Sequence, residues 1–547
     1  MYLFTVFILS LFLTIALVPV FKRLAFSMNI MDVPDERKVH VVPMPKTGGI
    51  SIAVGAFVPM LIWVTKDAFV SSVLIGSIII VVFGIWDDIR PLNAKQKIVP
   101  QIAAALVVIF FGGVEITCLG DLAPVGWILP WFVSVPLTLV VILGVTNAIN
   151  LADGLDGLAG GISMLSFILI VFLAYQYGNT QIAIMAIAMV GGLAGFLRFN
   201  THPAVLFMGD AGSQLLGFLS IVFVIVLTQT NTPYSRVLAL PLIGFPILDT
   251  LTVMVERIIK KRSPFSADKN HFHHRLLRFG LFHTEAVLSI YIIQACFIAM
   301  ALIFRFYSDW VHVLGFMAIS SMILLSVFVA RKKNWMFRRD SSFDTVVKKR
   351  LKVLKERNIF IRISFGGLRY GFPLLLAFQI MIPGQIPLYL SIIAICLIIL
   401  ICGSYFFNFI KFKEHVLRFA TYLIAPLLIY LAESNPGSWI KSSWLEMNNI
   451  AFIVLVLLVI STMNLTRRIQ GFKITSLDIL VFIVILVFPN LPTLHLQDFN
   501  AGATLAKALV LFFSFDVLVG ELRGQSGFLA KPSVVILAIL VARGFIG

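Results

Sequence analysis

Charge is scarce in this chain: Asp, Glu, Lys and Arg together make up 13% of 547 residues, where a soluble domain carries about 25%. With 59% hydrophobic residues and a mean hydropathy of +1.00, that scarcity excludes a water-soluble globule. Cysteine is nearly missing too. There are four, three of them (Cys296, Cys396, Cys402) inside apolar runs and none in a CxxC pair, which excludes a disulfide framework and thiol redox chemistry. Alternation of apolar and polar residues is absent, which excludes a β-barrel. The apolar residues instead come in unbroken runs of about 17–20, the length of a membrane-crossing helix. No G-x-x-x-x-G-K-[ST] occurs, so a P-loop ATPase is excluded. The acids, 26 against 43 Lys and Arg, leave a net charge of +17. In a membrane protein that excess belongs to cytoplasmic loops and implies no nucleic acid.

What is present reads as an all-α polytopic membrane protein with about 11 transmembrane helices in a core and about 7 in a C-terminal extension. Core runs fall near residues 3–20, 50–65, 69–86, 98–114, 128–146, 161–177, 181–197, 213–229, 237–256, 286–304 and 310–330. The first lacks a basic leader and a cleavage signal and is expected to be retained as a span. Loops after odd-numbered runs hold 28 Lys and Arg and those after even-numbered runs hold 3, which predicts an outside N-terminus and cytoplasmic odd loops. Residues 331–365 are expected to form a basic amphipathic linker on the cytoplasmic face. Residues 366–547 are expected to form a second membrane domain, with runs near 369–384, 387–409, 416–432, 450–463, 476–489, 502–519 and 532–546. That half shows no constellation of acidic or His residues within its spans.

The polar chemistry gathers in the five odd loops of the core. Asp87 and Asp88 close the third run, and as helix neighbours they diverge by about 100°, so they need not share a site. Asp153 and Asp156 sit three apart in N-x-x-N-x-x-D-G-x-D-G, as turn chemistry or as one helical face. That loop has no Lys or Arg where basic residues should dominate, so it calls for a cation. Asp210 could cap a helix, its flanking glycines could let the backbone approach an anion, and Lys46 and Lys97 could be positive-inside anchors or phosphate ligands. His271, His273 and His274, beside Lys269 and Arg275, fit anion binding better than zinc. Carboxylates for a hard ion and cations for phosphates together meet the needs of metal-assisted phosphoryl transfer.

Five motifs in order carry a resemblance: P-x-P-K-x-G-G at 43–49, Asp87-Asp88 followed by Lys97, N-A-I-N-L-A-D-G-L-D-G-L at 147–158, F-M-G-D-A-G-S at 207–213 and H-F-H-H-R at 271–275. Residues 1–330 resemble the polyprenyl-phosphate N-acetylhexosamine-1-phosphate transferases. The resemblance implies transfer of a sugar 1-phosphate from a UDP-N-acetylhexosamine to undecaprenyl phosphate, releasing UMP, at the cytoplasmic face of a bacterial inner membrane. It implies Mg²⁺, with Mn²⁺ as the alternative, held by Asp210. Asp87, Asp88, Asp153 and Asp156 would be the catalytic carboxylates, with Asp87 orienting or deprotonating the lipid phosphate. Lys46, Lys97, Asn147, Asn150, His271, His273, His274 and Arg275 would bind substrate. The H-x-H-H form favours UDP-GlcNAc as donor. Residues 340–547 have no counterpart in the family and are open to regulation, homodimerisation or hand-over of product. A lipid-linked-sugar flippase or transporter is the competing reading, weakened because the acids sit at span ends on one side rather than at mid-membrane depth with Gly/Pro-interrupted helices. A glycosyltransferase scaffold is the third, and it would tolerate loss of Asp210.

Overall fold

The computed structural model describes residues 2–28, 30–32, 43–124, 126–230, 232–263, 270–333, 358–406, 410–465, 501–522 and 527–546. They fall in two compact units, one holding the described residues up to 333 and one holding those from 358 onward. The protein is all-α apart from a two-residue hairpin pairing β1 (Met31–Asp32) with β2 (Met44–Pro45). Twelve described helices are long and apolar enough to cross a membrane.

The first unit contains α1 (Tyr2–Ser27), α2 (Gly48–Trp63), α3 (Ala68–Ile89), α4 (Ala94–Phe110), α5 (Trp131–Ala152), α6 (Leu158–Gln176), α7 (Thr180–Asn200) and α8 (Gly209–Gln229). It continues with α9 (Ala239–Leu242), α10 (Gly244–Ile259), α11 (Phe272–Arg278), α12 (His283–Ile303) and α13 (Asp309–Lys332). Helix α8 is the centre: its most apolar window is 94% buried, and α2, α3, α5 and α6 pack around it. A close approach makes this arrangement possible. A Cβ at Gly49 would run into the backbone of Gly212, so only glycine lets α2 and α8 meet at their first turns.

Polar side chains start several helices: Asp67 accepts from Val70 N (2.8 Å), and Asn93 and Gln96 form a capping box at α4. Where a single span was expected at 237–256 the chain breaks into α9 and α10. Pro241 and Pro246 remove two backbone donors there. The freed groups are satisfied from neighbouring helices: Leu242 O accepts from Ser166 Oγ (2.9 Å) and Gln294 Nε2 (2.9 Å), and Phe245 N donates to Gln294 Oε1 (3.0 Å).

The second unit contains α14 (Asn358–Met381), α15 (Leu388–Phe406), α16 (Ile410–Ser434), α17 (Ser442–Leu465), α18 (Ala501–Leu522) and α19 (Gly527–Ile546) around one apolar core that includes Phe372, Leu390 and Phe515. The expected run at 476–489 lies outside the described residues, as does most of the expected linker at 331–365. Charges that stand alone in the sequence meet here by packing. Lys507 of α18 pairs with Glu433 of α16, and Asp516 of α18 accepts from Tyr422 (2.5 Å) and lies 3.5 Å from Arg418, both on α16.

Candidate active site

Four of the five sequence motifs meet at the N-terminal end of α8. The capping box fixes the start of α4 and so places Lys97, whose Nζ lies 2.5 Å from Asp87 Oδ2 and 2.8 Å from Asp210 Oδ2. Asp87 closes α3, and its Oδ1 accepts from Leu92 N (2.7 Å), which pins the turn between α3 and α4. Its Oδ2 is buried with no hydrogen-bond partner beyond that ion pair. Asp88, one residue on, points elsewhere: its carboxylate accepts from Asp210 N (3.1 Å) and Ala211 N (3.3 Å) and caps α8. Gly209 turns into the helix at φ +75, and the Asp88 carboxylate fills the space a Cβ would need.

The Lys46 motif pairs with the Asp210 motif along the backbone. Phe207 N donates to Pro45 O (2.8 Å), Gly48 N to Phe207 O (2.9 Å) and Gly49 N to Met208 O (2.7 Å). Lys46 Nζ lies 3.0 Å from Asp32 Oδ1 in the hairpin. Burial opposes its charge, but Asp32, Asp88 and Asp210 outweigh burial and hold its pKa above the usual lysine value. Asn150 Oδ1 accepts from Ser213 Oγ (2.9 Å), tying α5 to α8. Asp153 follows the end of α5, where burial, and then the charges of Asp210, Asp156 and Asp32, push its carboxyl up to about 7.

Asn147 has another duty. Its Nδ2 donates to Gln101 Oε1 (2.7 Å) and Leu143 O (2.8 Å), and Gln101 Nε2 donates to Gln214 Oε1 (3.0 Å). This amide chain joins α5, α4 and α8 one turn deeper than Lys97 and Asp210.

The histidine motif opens α11. Asp249 of α10 takes the N–H of Phe272 (2.7 Å) and lies 2.9 Å from His271 Nδ1, which orients that ring. His273 packs its ring into the space above Gly154, so it touches the Asp153 loop. Burial, with His274, His271 and His283 nearby, pushes its pKa down to about 3, so it is neutral, and its Nδ1 is buried without a partner. The His274 ring lies 4.2 Å from that of His273. Arg275 is turned to Glu256 (2.8 Å) and Asn270 O (2.6 Å). Asp156 also turns away from the carboxylates at Lys97, toward His202 and His283.

Sequence reasoning missed Asp32, Gln101, Gln214, His202, Asp249 and His283. Asp249 had a signal, an acid within an apolar run; the others become visible only through packing. Asp87 and Asp210 share Lys97, Asp153 senses the charge of Asp210, and one Asp87 oxygen is short of hydrogen bonds, so hard oxygen donors of the kind Mg²⁺ takes lie near Asp210, although the described residues do not bring the three carboxylates into one ligand cluster.

Residues 70–228 match the family described as Glycosyl transferase family 4. The chain is similar to the "Probable undecaprenyl-phosphate N-acetylglucosaminyl 1-phosphate transferase" of Bacillus subtilis (strain 168), 36% identical over 310 residues that span 56% of this chain and 85% of that protein. It is similar to the "Undecaprenyl-phosphate alpha-N-acetylglucosaminyl 1-phosphate transferase" of Escherichia coli (strain K12), 31% identical over 57% of this chain and 87% of that one. The "Decaprenyl-phosphate N-acetylglucosaminephosphotransferase" of Mycolicibacterium smegmatis is 34% identical, over 50% and 74%.

Proposed function

The chain belongs to glycosyl transferase family 4, and on that premise we propose that it transfers N-acetylglucosamine 1-phosphate from UDP-GlcNAc to undecaprenyl phosphate, on the cytoplasmic face of a bacterial inner membrane, as the first step of a cell-surface glycan. The observation that carries this reading is Lys97 held between Asp87 and Asp210 at the ends of membrane helices, where a lipid phosphate and a water-soluble diphosphate can meet.

In this reading an oxygen of the lipid phosphate attacks the sugar-bearing phosphorus of the donor, the bond to the bridging oxygen breaks, and UMP leaves with that oxygen. The acceptor, with a second pKa of about 6, is already an anion at neutral pH and needs little help from a base. Asp87 therefore orients the acceptor, and Lys97 offsets the charge of the phosphates. Asp210 would hold Mg²⁺, which would supply charge neutralisation on the diphosphate. His273, neutral and with an unpaired Nδ1, offers the donor a hydrogen bond rather than a charge. His271, its ring oriented by Asp249, offers the donor a second contact.

The test is purified full-length protein in detergent with undecaprenyl phosphate, Mg²⁺ and a panel of radiolabelled UDP-sugars. Lipid-linked label with equimolar UMP, highest for UDP-GlcNAc, is the expected result. No lipid product with any UDP-N-acetylhexosamine would refute the reading.

A further inference from the structure

Away from Lys97, three side chains from separated segments meet at one point. Asp156 comes from the turn between α5 and α6, His202 from the loop after α7, and His283 is the first residue of α12. Asp156 Oδ2 lies 2.8 Å from His202 Nδ1 and 3.9 Å from His283 Nε2, and one ligand atom from each residue falls within 4.8 Å of the other two. Donor atoms in a tetrahedral site with bonds of about 2.0–2.1 Å stand about 3.3 Å apart, between those two distances.

The cluster is held in place by the fold. Ala204 N donates to Asp156 Oδ2 (3.1 Å), Gly157 N donates to Asn200 Oδ1 (2.9 Å) at the end of α7, and Tyr291 of α12 donates to Gly157 O (2.6 Å). The carboxylate is thus positioned by backbone ties before any ligand arrives, which lowers the ordering cost of binding. His283 Nε2 accepts the Asp156 N–H at 3.2 Å, which leaves its proton on Nδ1, a buried atom with no hydrogen-bond partner, and an ion at Nε2 would take the place of that N–H. His202 has its side chain 44% exposed to solvent and its ring stacked 4.2 Å from that of His283.

We propose that Asp156, His202 and His283 form a binding site for a borderline divalent transition ion of the zinc class, distinct from the carboxylates that would hold Mg²⁺. Two imidazole nitrogens and one carboxylate oxygen suit such an ion, whereas Mg²⁺ prefers oxygen alone. Three protein ligands leave a fourth position for water, reached past His202. His202 would bind the ion through Nδ1 as the neutral ring, with its one proton carried on Nε2. The bound ion clamps the loop after α7 and the start of α12 to the turn that also carries Gly154, the residue against which His273 packs.

The test uses full-length protein with no histidine tag, stripped with chelator in detergent, then dialysed against Zn²⁺ in millimolar Mg²⁺ and assayed for bound metal by mass spectrometry. The expected result is one Zn²⁺ per chain and a higher Tm. Both effects should fall at least tenfold in apparent affinity in His202→Ala and His283→Gln, and both should persist in His273→Ala and Asp210→Asn. His202→Ala alters an exposed side chain and keeps the test valid if His283→Gln misfolds. Absence of stoichiometric zinc in the wild type, survival of binding in His202→Ala, or loss in His273→Ala overturns the proposal. Metal content is read without turnover, so failure of the transferase reading leaves this test intact.

Discussion

Two neighbouring aspartates show how little residue type says about role. Asp87 pairs with Lys97, while Asp88 spends both oxygens on the first N–H groups of α8. Asp87→Asn should lower kcat with Tm unchanged, and Asp88→Ala should lower Tm, since a lost cap costs about 0.5–2 kcal/mol. Asp210→Asn should abolish turnover while keeping the gel-filtration profile, as should EDTA on the wild type. Activity that survives either treatment would remove the metal from the reaction. His273 links stability to pH. Its pKa falls from 6.5 to about 3 on folding, so between those values the unfolded chain binds the extra proton and stability drops as pH falls. His273→Gln, matched to wild type in Tm at pH 7, should therefore become the more stable of the two toward pH 4. His273→Ala should lower kcat/KM by about 2–4 kcal/mol with its neutral-pH Tm kept, as for other lost electrostatic contacts. The motif residues were legible because five patterns recur in order. The cap role of Asp88 and the partnership of His271 with Asp249 were not, because each depends on a contact across a gap in sequence that no local spacing encodes.

At the scale of elements, helical period stacks two polar layers. Lys97 and Gln101 are four apart on α4, and Asp210 and Gln214 are four apart on α8, so the ion layer lies one turn from the amide chain Gln214–Gln101–Asn147. Gln101 and Gln214 are buried at 1% and 4% exposure, so losing one leaves its partner unpaired in a dry interior. Gln101→Leu should lower Tm and reduce kcat more than it raises KM for the UDP-sugar, because α4 then holds Lys97 less firmly. Gln101→Leu and Gln214→Leu combined should cost less than the sum of the two, with coupling of about 0.5–1.7 kcal/mol. Additive effects would mean that the amides do not act as a chain. Most helices were legible as apolar runs of membrane length. The break of 237–256 into α9 and α10 was marked locally by Pro241 and Pro246, but the groups that make the break tolerable, Ser166 and Gln294, are supplied by α6 and α12.

Across the whole molecule, hydropathy alone announced an all-α membrane protein, yet it hid the ion pairs of the second unit. Glu433, Lys507, Arg418 and Asp516 are isolated charges in sequence, and only the packing of α16 on α18 joins them, which offsets the cost of holding each in an apolar bundle. Sidedness, in contrast, is written in sequence as 28 basic residues in one set of core loops and 3 in the other. All five motifs belong to the basic set, so their sidedness decides whether a cytosolic UDP-sugar can reach Lys97. With Cys118, Cys296, Cys396 and Cys402 replaced, single cysteines at Lys95 and Ser266 should be shielded from an impermeant thiol reagent in intact cells and react after lysis. A cysteine at Asp121, in an even loop, should react in intact cells. Labelling in the reverse pattern would put Lys97 and Asp210 on the outer side, where no nucleotide sugar is supplied, and the proposed reaction would fail on access alone.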